Sequence, residues 1–289
     1  MYKSLNELII KENKTQTPLW ELVMLDDCRE RNVNRETAFN EMKSMYIAMK
    51  DSLSGYESDL KSNSGLVGGE AAILQEYVAD GNSLCGDFVS SVMVKALKIA
   101  ESNACMKRIV AAPTAGSCGV VPAVFLSIQE KMDYSDDQMT EALYVAAGVG
   151  GVIANRASLA GAEGGCQAEI GAASSMAAAG LTYLLGGKAV QQANAAALAL
   201  KNLLGLACDP VAGLVEIPCV KRNVCGAVNA VTSAELTMAG ITSRIPADEV
   251  FDAMSSIGKN MSDTIKETGL GGLAATATGC SIKDSLIMN

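Results

Sequence analysis

The 289-residue chain is 49% hydrophobic, 19% charged and only 4% aromatic. It can bury a large core, built from Ala, Leu, Ile, Val and Met rather than from rings, and disorder or collagen-like repetition is excluded. Its net charge of −9 and the absence of basic runs longer than pairs such as Lys107-Arg108 and Lys221-Arg222 exclude a nucleic-acid partner. His is 0, so no Ser-His-Asp triad, Cys-His dyad or His-ligated zinc can be built from this chain alone.

Residues 1–62 are charge-rich and predict an N-terminal helical arm. Ser4 with Glu7 reads as a capping box for a short helix carrying Leu5, Leu8 and Ile9. Thr17-Pro18 reads as an N-cap followed by a proline at the first helical position. Asn34 caps a third helix, whose stripe Phe39, Met42, Met45/Tyr46, Met49, Leu53 reads as core packing. Glycines at 65, 68 and 69 break the pattern, and a helix is expected over 86–102. The stretch 108–112 is short enough to be extended. It enters the turn-forming loop 113–119, before the apolar run 120–128; Ser135 with Gln138 caps the next helix.

Composition shifts over 142–206, where 65 residues hold 19 Ala, 11 Gly and five charged side chains. Small residues let helix axes approach closely, which predicts a central helical core. The uncharged run 170–187 is too rich in Ala, Gly and Ser for a membrane span, and no membrane association is expected. A proline-bearing loop at 208–224 precedes helices at about 225–242 and from Pro246 onward. Strand-like alternation is nearly absent. The expected fold is all-α: one compact multi-helix unit, 63–289, with the 1–62 arm packed onto it.

Nine cysteines and a polar N-terminus without an apolar signal run point to free thiols in a reducing, cytoplasmic setting. Cys166, Cys208 and Cys219 stand at helix-to-loop junctions, where free backbone amides can hydrogen-bond thiolate. Their spacing matches no CxxC framework, so metal binding and ordinary buried thiols both remain open. Cys118 is a lesser candidate, and Cys280 is left out of the ligand set. The loop Thr114, Ala115, Gly116, Ser117 offers amides and hydroxyls to an anion, and so does the turn at Ser64 and Gly65. Neither carries a P-loop or dinucleotide-binding pattern.

Taken in order, SGLVGGE at 64–70, AAPTAGSCGVVPAV at 111–124, GAEGGCQAEIG at 161–171, CDPVAGLVEIPC at 208–219, NA at 229–230 and ETGLGGLA at 267–274 resemble the α subunit of the iron–sulfur-dependent L-serine dehydratases. The resemblance implies a [4Fe-4S] cluster on Cys166, Cys208 and Cys219, with one iron left without a protein ligand. That iron would polarise the β-hydroxyl of L-serine as the enzyme forms pyruvate and ammonia. It further implies that Thr114, Ala115, Gly116 and Ser117 bind the substrate, with Ser64 and Gly65 on the opposite wall. A β subunit carrying a Ser-His-Thr motif would complete an αβ heterodimer and supply the imidazole this chain lacks. The α-proton base is left unassigned.

Three rival readings differ in chemistry. A cluster-dependent L-cysteine desulfidase would share the site and differ in leaving group. A pyridoxal-phosphate lyase would need Lys95, Lys98 or Lys107 near the 113–119 loop. An electron-transfer iron–sulfur protein would use four protein ligands and no substrate loops.

Overall fold

A computed structural model describes residues 2–288. It is all-α: thirteen α-helices joined by short turns, with no strand among the described residues beyond one isolated bridge between Cys208 and Lys266. The segment 108–112 has no pairing partner and runs as a bare connection.

Ser4 and Asn34 cap their helices as the sequence predicts, although at Ser4 only the side-chain half of the predicted capping box forms. Ser4 accepts from the Glu7 amide at 3.0 Å to start α1 (Leu5–Thr15), and Asn34 accepts from Thr37 at 2.8 Å to start α3 (Arg35–Ser54). The second helix, α2 (Leu19–Arg31), differs by one position. Pro18 is extended (ψ 153°) and serves as the N-cap itself, while the Leu19 amide donates to Glu12 Oε1 at 3.1 Å. The other oxygen of Glu12 accepts from Ala189 at 2.9 Å, so one carboxylate fastens α1, α2 and the start of α10 (Ala189–Lys201). On α3, Tyr46 and Met49 are buried, whereas Met45 turns outward.

One helix, α4 (Glu70–Ala79), has no local start signal. Its first amides, of Glu70 and Ala71, donate at 2.8 and 3.2 Å to the buried carboxylate of Glu101 on α5 (Gly86–Ala104). The cap comes from 30 residues away, where pattern reading cannot see it.

The centre is α9 (Ala172–Leu184), buried nearly throughout. Around it stand α6 (Val120–Met132), α7 (Asp136–Arg156), α10 and α11 (Cys219–Met238), with α5 behind α6 and α11. The apolar 170–187 run is therefore core, and no helix is long and apolar enough to cross a membrane. Leu5, Leu8, Leu19, Leu22 and Tyr46 of the arm belong to the same apolar cluster as this centre.

Close helix approach requires small side chains. A Cβ on Gly180 would lie 2.3 Å from Phe125 Cζ and 2.9 Å from the Ala142 carbonyl oxygen. Gly180→Ala gains about 1 kcal/mol of helix propensity but costs about 3 kcal/mol in overpacking. A net loss of about 2 kcal/mol is expected, read as a lower melting temperature with unchanged helical circular dichroism. Buried polar groups bolt the same helices together: Ser174 Oγ donates to the Gly226 carbonyl at 2.7 Å, and Asn229 Nδ2 donates to Ser174 Oγ and the Ala199 carbonyl, both at 2.8 Å.

The fold ends with α12 (Ala247–Asn260), capped at Pro246, and α13 (Ala277–Met288), which rests on the turns at 211–213 and 272–275. The sequence places the start of the α11 helix at about 225, but it begins at Cys219. Pro218 lacks a donor and stands where the first orphan amides lie, so it starts the helix rather than extending the loop. Gly240, at φ +90°, stops it.

Candidate active site

Two stretches of the chain, one around residue 166 and one spanning 208–219, bring Cys166, Cys208 and Cys219 together at the N-terminal end of α11. Cys166 follows the short helix α8 (Gly161–Gly164) and the turn at Gly165, which takes φ +73°. A Cβ there would sit 2.6 Å from Met261 Sδ and 2.9 Å from the Leu206 carbonyl oxygen, so only glycine fits. Gln167 locks the turn: its Nε2 donates to the Gly164 and Met254 carbonyls at 2.9 and 3.2 Å, and its Oε1 accepts from Gly205 at 2.9 Å. Residues 167–171 then form one π-helical turn into α9, a wide turn often found at functional sites.

Cys208 is held by its own backbone. Its amide donates to the Ile265 carbonyl at 2.8 Å, and its carbonyl accepts from Glu267 at 2.7 Å. Cys219 is the first residue of α11. All three thiols are buried. Arg222, one turn into α11, donates to the Ala207 carbonyl at 2.7 Å and to Asp209 Oδ1 at 2.9 Å, bracing both sides of Cys208.

The electrostatics follow from this packing. The Cys208 thiol donates to Cys166, and the Arg222 guanidinium lies near it; together they hold Cys166 below the usual thiol range despite burial. Cys208 is pushed far up, first by that donation and then by burial. Burial, then the charge at Cys166, pushes Cys219 up to about 12. Of the three sulfurs, Cys166 alone is drawn toward the thiolate form, beside one cation. Among the described residues, no three His, Cys, Asp or Glu side chains are gathered around the position of a single metal ion. The donor set is three sulfurs converging on a common region.

Glu169, on the π turn, links these sulfurs to the loop at 114–117. Its Oε2 lies 3.7 Å from Cys208 Sγ, and its Oε1 accepts from Thr114 Oγ1 at 2.8 Å. Burial raises its pKa above the usual carboxylate range. Thr114 Oγ1 also lies 3.1 Å from Ser117 Oγ, and Gly116 passes so near Glu169 that a Cβ would meet Oε1 at 3.1 Å. The second wall is anchored differently. Ser64 Oγ and Ser62 Oγ both donate to Oε2 of buried Glu216, three residues before Cys219; the Ser62 bond is 3.1 Å. Gly65, at φ +75°, stands in open space beside them.

The structure thus brings Thr114, Gly116 and Ser117 to the three cysteines through Glu169, and ties Ser64 to the segment leading into Cys219. Cys118 points the other way: it is fully buried, with Sγ 3.9 Å from the Ile99 carbonyl, and burial lifts its thiol to about 12. Cys280 is exposed on α13. Sequence reasoning missed Glu169, Asp209, Glu216, Arg222 and Asn223 as site residues. The first three lie inside the motifs already quoted, so the signal was present but unassigned. The lysines of the pyridoxal reading are engaged elsewhere: Lys95 pairs with Glu130 at 2.8 Å, Lys107 with Glu57 at 2.6 Å, and Lys98 lies over the Tyr56 ring. A cavity of about 730 Å³ lies between α1, α10 and residues 240–249, away from this site.

A sequence model described as serine dehydratase alpha chain matches residues 13–274. The chain belongs to this family. It is 44% identical over 286 residues to the probable L-serine dehydratase, alpha chain, of Bacillus subtilis, covering 99% of this chain and 95% of that protein. It is 39% identical over 285 residues to the L-serine dehydratase, alpha chain, of Peptoniphilus asaccharolyticus, covering 98% and 97%. The L-serine dehydratase TdcG of Escherichia coli is 42% identical over 209 residues, 71% of this chain but only 46% of that longer protein.

Proposed function

We propose that this family member is the α subunit of an L-serine ammonia-lyase that converts L-serine to pyruvate and ammonia. The observation that carries this reading is the convergence of Cys166, Cys208 and Cys219 beside a hydroxyl-bearing loop, joined by one carboxylate. Three buried thiols on separate elements fit a [4Fe-4S] cluster with one iron free of protein ligands. When bound, that cluster supplies a Lewis acid for the substrate's carboxylate and β-hydroxyl.

The chain's own residues do the rest. Thr114, Ala115, Gly116 and Ser117 present hydroxyls and amides to the serine carboxylate. Ser64 and Gly65 form the facing wall, held by Glu216. Glu169 fixes the Thr114 hydroxyl, so the loop keeps its distance from the cysteines. The arm, 1–62, and the remainder, 63–289, act as one unit, a reading supported by their shared core. With His at 0, the proton chemistry that wants an imidazole falls to a β subunit, giving an αβ heterodimer. Nine free thiols support a reducing, cytoplasmic setting.

The test is anaerobic assay of serine deamination with the chain alone and with its β subunit. Turnover that needs both polypeptides is expected; full turnover by the chain alone overturns the two-subunit reading. Ser117→Phe in the assembled enzyme should raise KM at least about tenfold, one 1.4 kcal/mol step in affinity, with the iron–sulfur absorbance intact. Loss of that absorbance as well would make the loop structural.

A further inference from the structure

We infer that Asn223 is the positioning residue that fixes the 114–119 loop against the cysteine site, and so sets the affinity for substrate rather than the integrity of the cofactor site. The inference rests on the loop's proposed role in binding serine.

Asn223 lies one turn after Cys219 on α11 and is 1% exposed. Its carboxamide is fully engaged. Nδ2 donates to the Gly116 carbonyl at 2.9 Å and to the Cys219 carbonyl at 3.0 Å, and Oδ1 accepts from the Gly119 amide at 2.9 Å. The two carbonyls need donors and the amide needs an acceptor, so the neighbours dictate which way the group faces. One side chain thus grips the loop at 116 and at 119, either side of Ser117, and references both grips to the carbonyl of a candidate cluster ligand.

Little else performs this service. Within the loop, the amides of Ser117 and Cys118 reach only local carbonyls, each at 3.3 Å. Asn103, which is exposed at its bond, donates to Ala115 at 3.2 Å. Thr114 reaches Glu169 at the loop's other end. At Gly119 the backbone is pressed in: a Cβ would lie 2.6 Å from the Ala96 carbonyl oxygen and 3.1 Å from Asn223 Oδ1. The carboxamide therefore fills the gap between loop and helix with a polar group matched at every atom. Removing it frees Gly116 and Gly119 to move without breaking any bond that holds Cys166 or Cys208.

The experiment compares Asn223→Ser and Asn223→Asp with the parent in the assembled, anaerobically loaded enzyme. Asp keeps the acceptor for Gly119 and loses both donors; Ser shortens the reach. Expected are parental iron–sulfur absorbance, kcat within about threefold, KM for serine at least tenfold higher, and faster amide hydrogen exchange at 114–119 but not at 208–219. Unchanged KM and exchange would overturn the inference, as would a joint fall of absorbance, kcat and melting temperature, which marks a purely structural tie. Thr114→Val and Ser117→Phe run beside them. If those raise KM while the Asn223 variants do not, only this inference fails. If none of the four changes KM, the substrate role of the loop fails with it.

Discussion

Replacing Cys166, Cys208 or Cys219 singly by serine is expected to abolish iron–sulfur absorbance and serine turnover together. The loss should exceed about a hundredfold, the upper range for residues that merely support a metal site. In the thiol form these residues are poor neighbours: three buried sulfurs share a pocket with one cation, and only Cys166 is drawn toward thiolate. Such an arrangement stores little stability by itself; under the proposed cluster reading, iron would take the place of the protons. The stability of the metal-free chain should therefore change by no more than about 1 kcal/mol, because a serine hydroxyl can keep the local hydrogen bonds. Cys225→Ser is the control, since that thiol is exposed on α11 and should leave spectrum and rate unchanged. A cysteine variant among the three that kept both would remove that residue from the ligand set.

The parts of this architecture that the sequence reveals are those whose physics is local. Ser4, Asn34 and the Ser135/Gln138 pair announce their helices because a cap bonds an amide three residues away. The Ala- and Gly-rich span announces a crowded centre because only small residues permit it, as the contact at Gly180 shows. The cysteines stand out by position, at junctions where α9 and α11 begin and where α10 has ended. What escapes is supplied across distance. The start of α4 is capped by Glu101, α2 by Glu12, and neither carboxylate carries a mark of its task. In the same way Arg222 reads as half of a surface basic pair with Lys221. The helix turns the two apart, so that Lys221 reaches Glu70 outside while Arg222 enters the site. Glu169 is similar: its motif is conspicuous, but its link to Thr114 exists only because the π turn aims it at a loop 55 residues away.

Arg222→Met is expected to destabilise the chain by about 3–5 kcal/mol and to prevent cluster retention. The guanidinium and its partner are both largely buried, at 17% and 6% side-chain exposure, so removing the cation leaves Asp209 charged in a poorly solvated place. Asp209 cannot simply turn away. Its Oδ2 accepts from the Leu273 amide at 2.8 Å, and Gly272 packs so closely that a Cβ would lie 2.4 Å from that oxygen. The Ala207 carbonyl loses its donor as well, so Cys208 is loosened on both sides. Pairing the change with Asp209→Leu separates charge from scaffold. The double variant no longer buries an unpaired carboxylate and should recover about 2 kcal/mol relative to Arg222→Met alone. It still leaves the Leu273 amide and Ala207 carbonyl without partners, a cost of about 1–3 kcal/mol each at most, so recovery stays partial. Chemical denaturation of the metal-free chain measures all three. A double variant less stable than Arg222→Met would show that Asp209 matters for its bond to Leu273, and that the ion pair is secondary to the turn at 272.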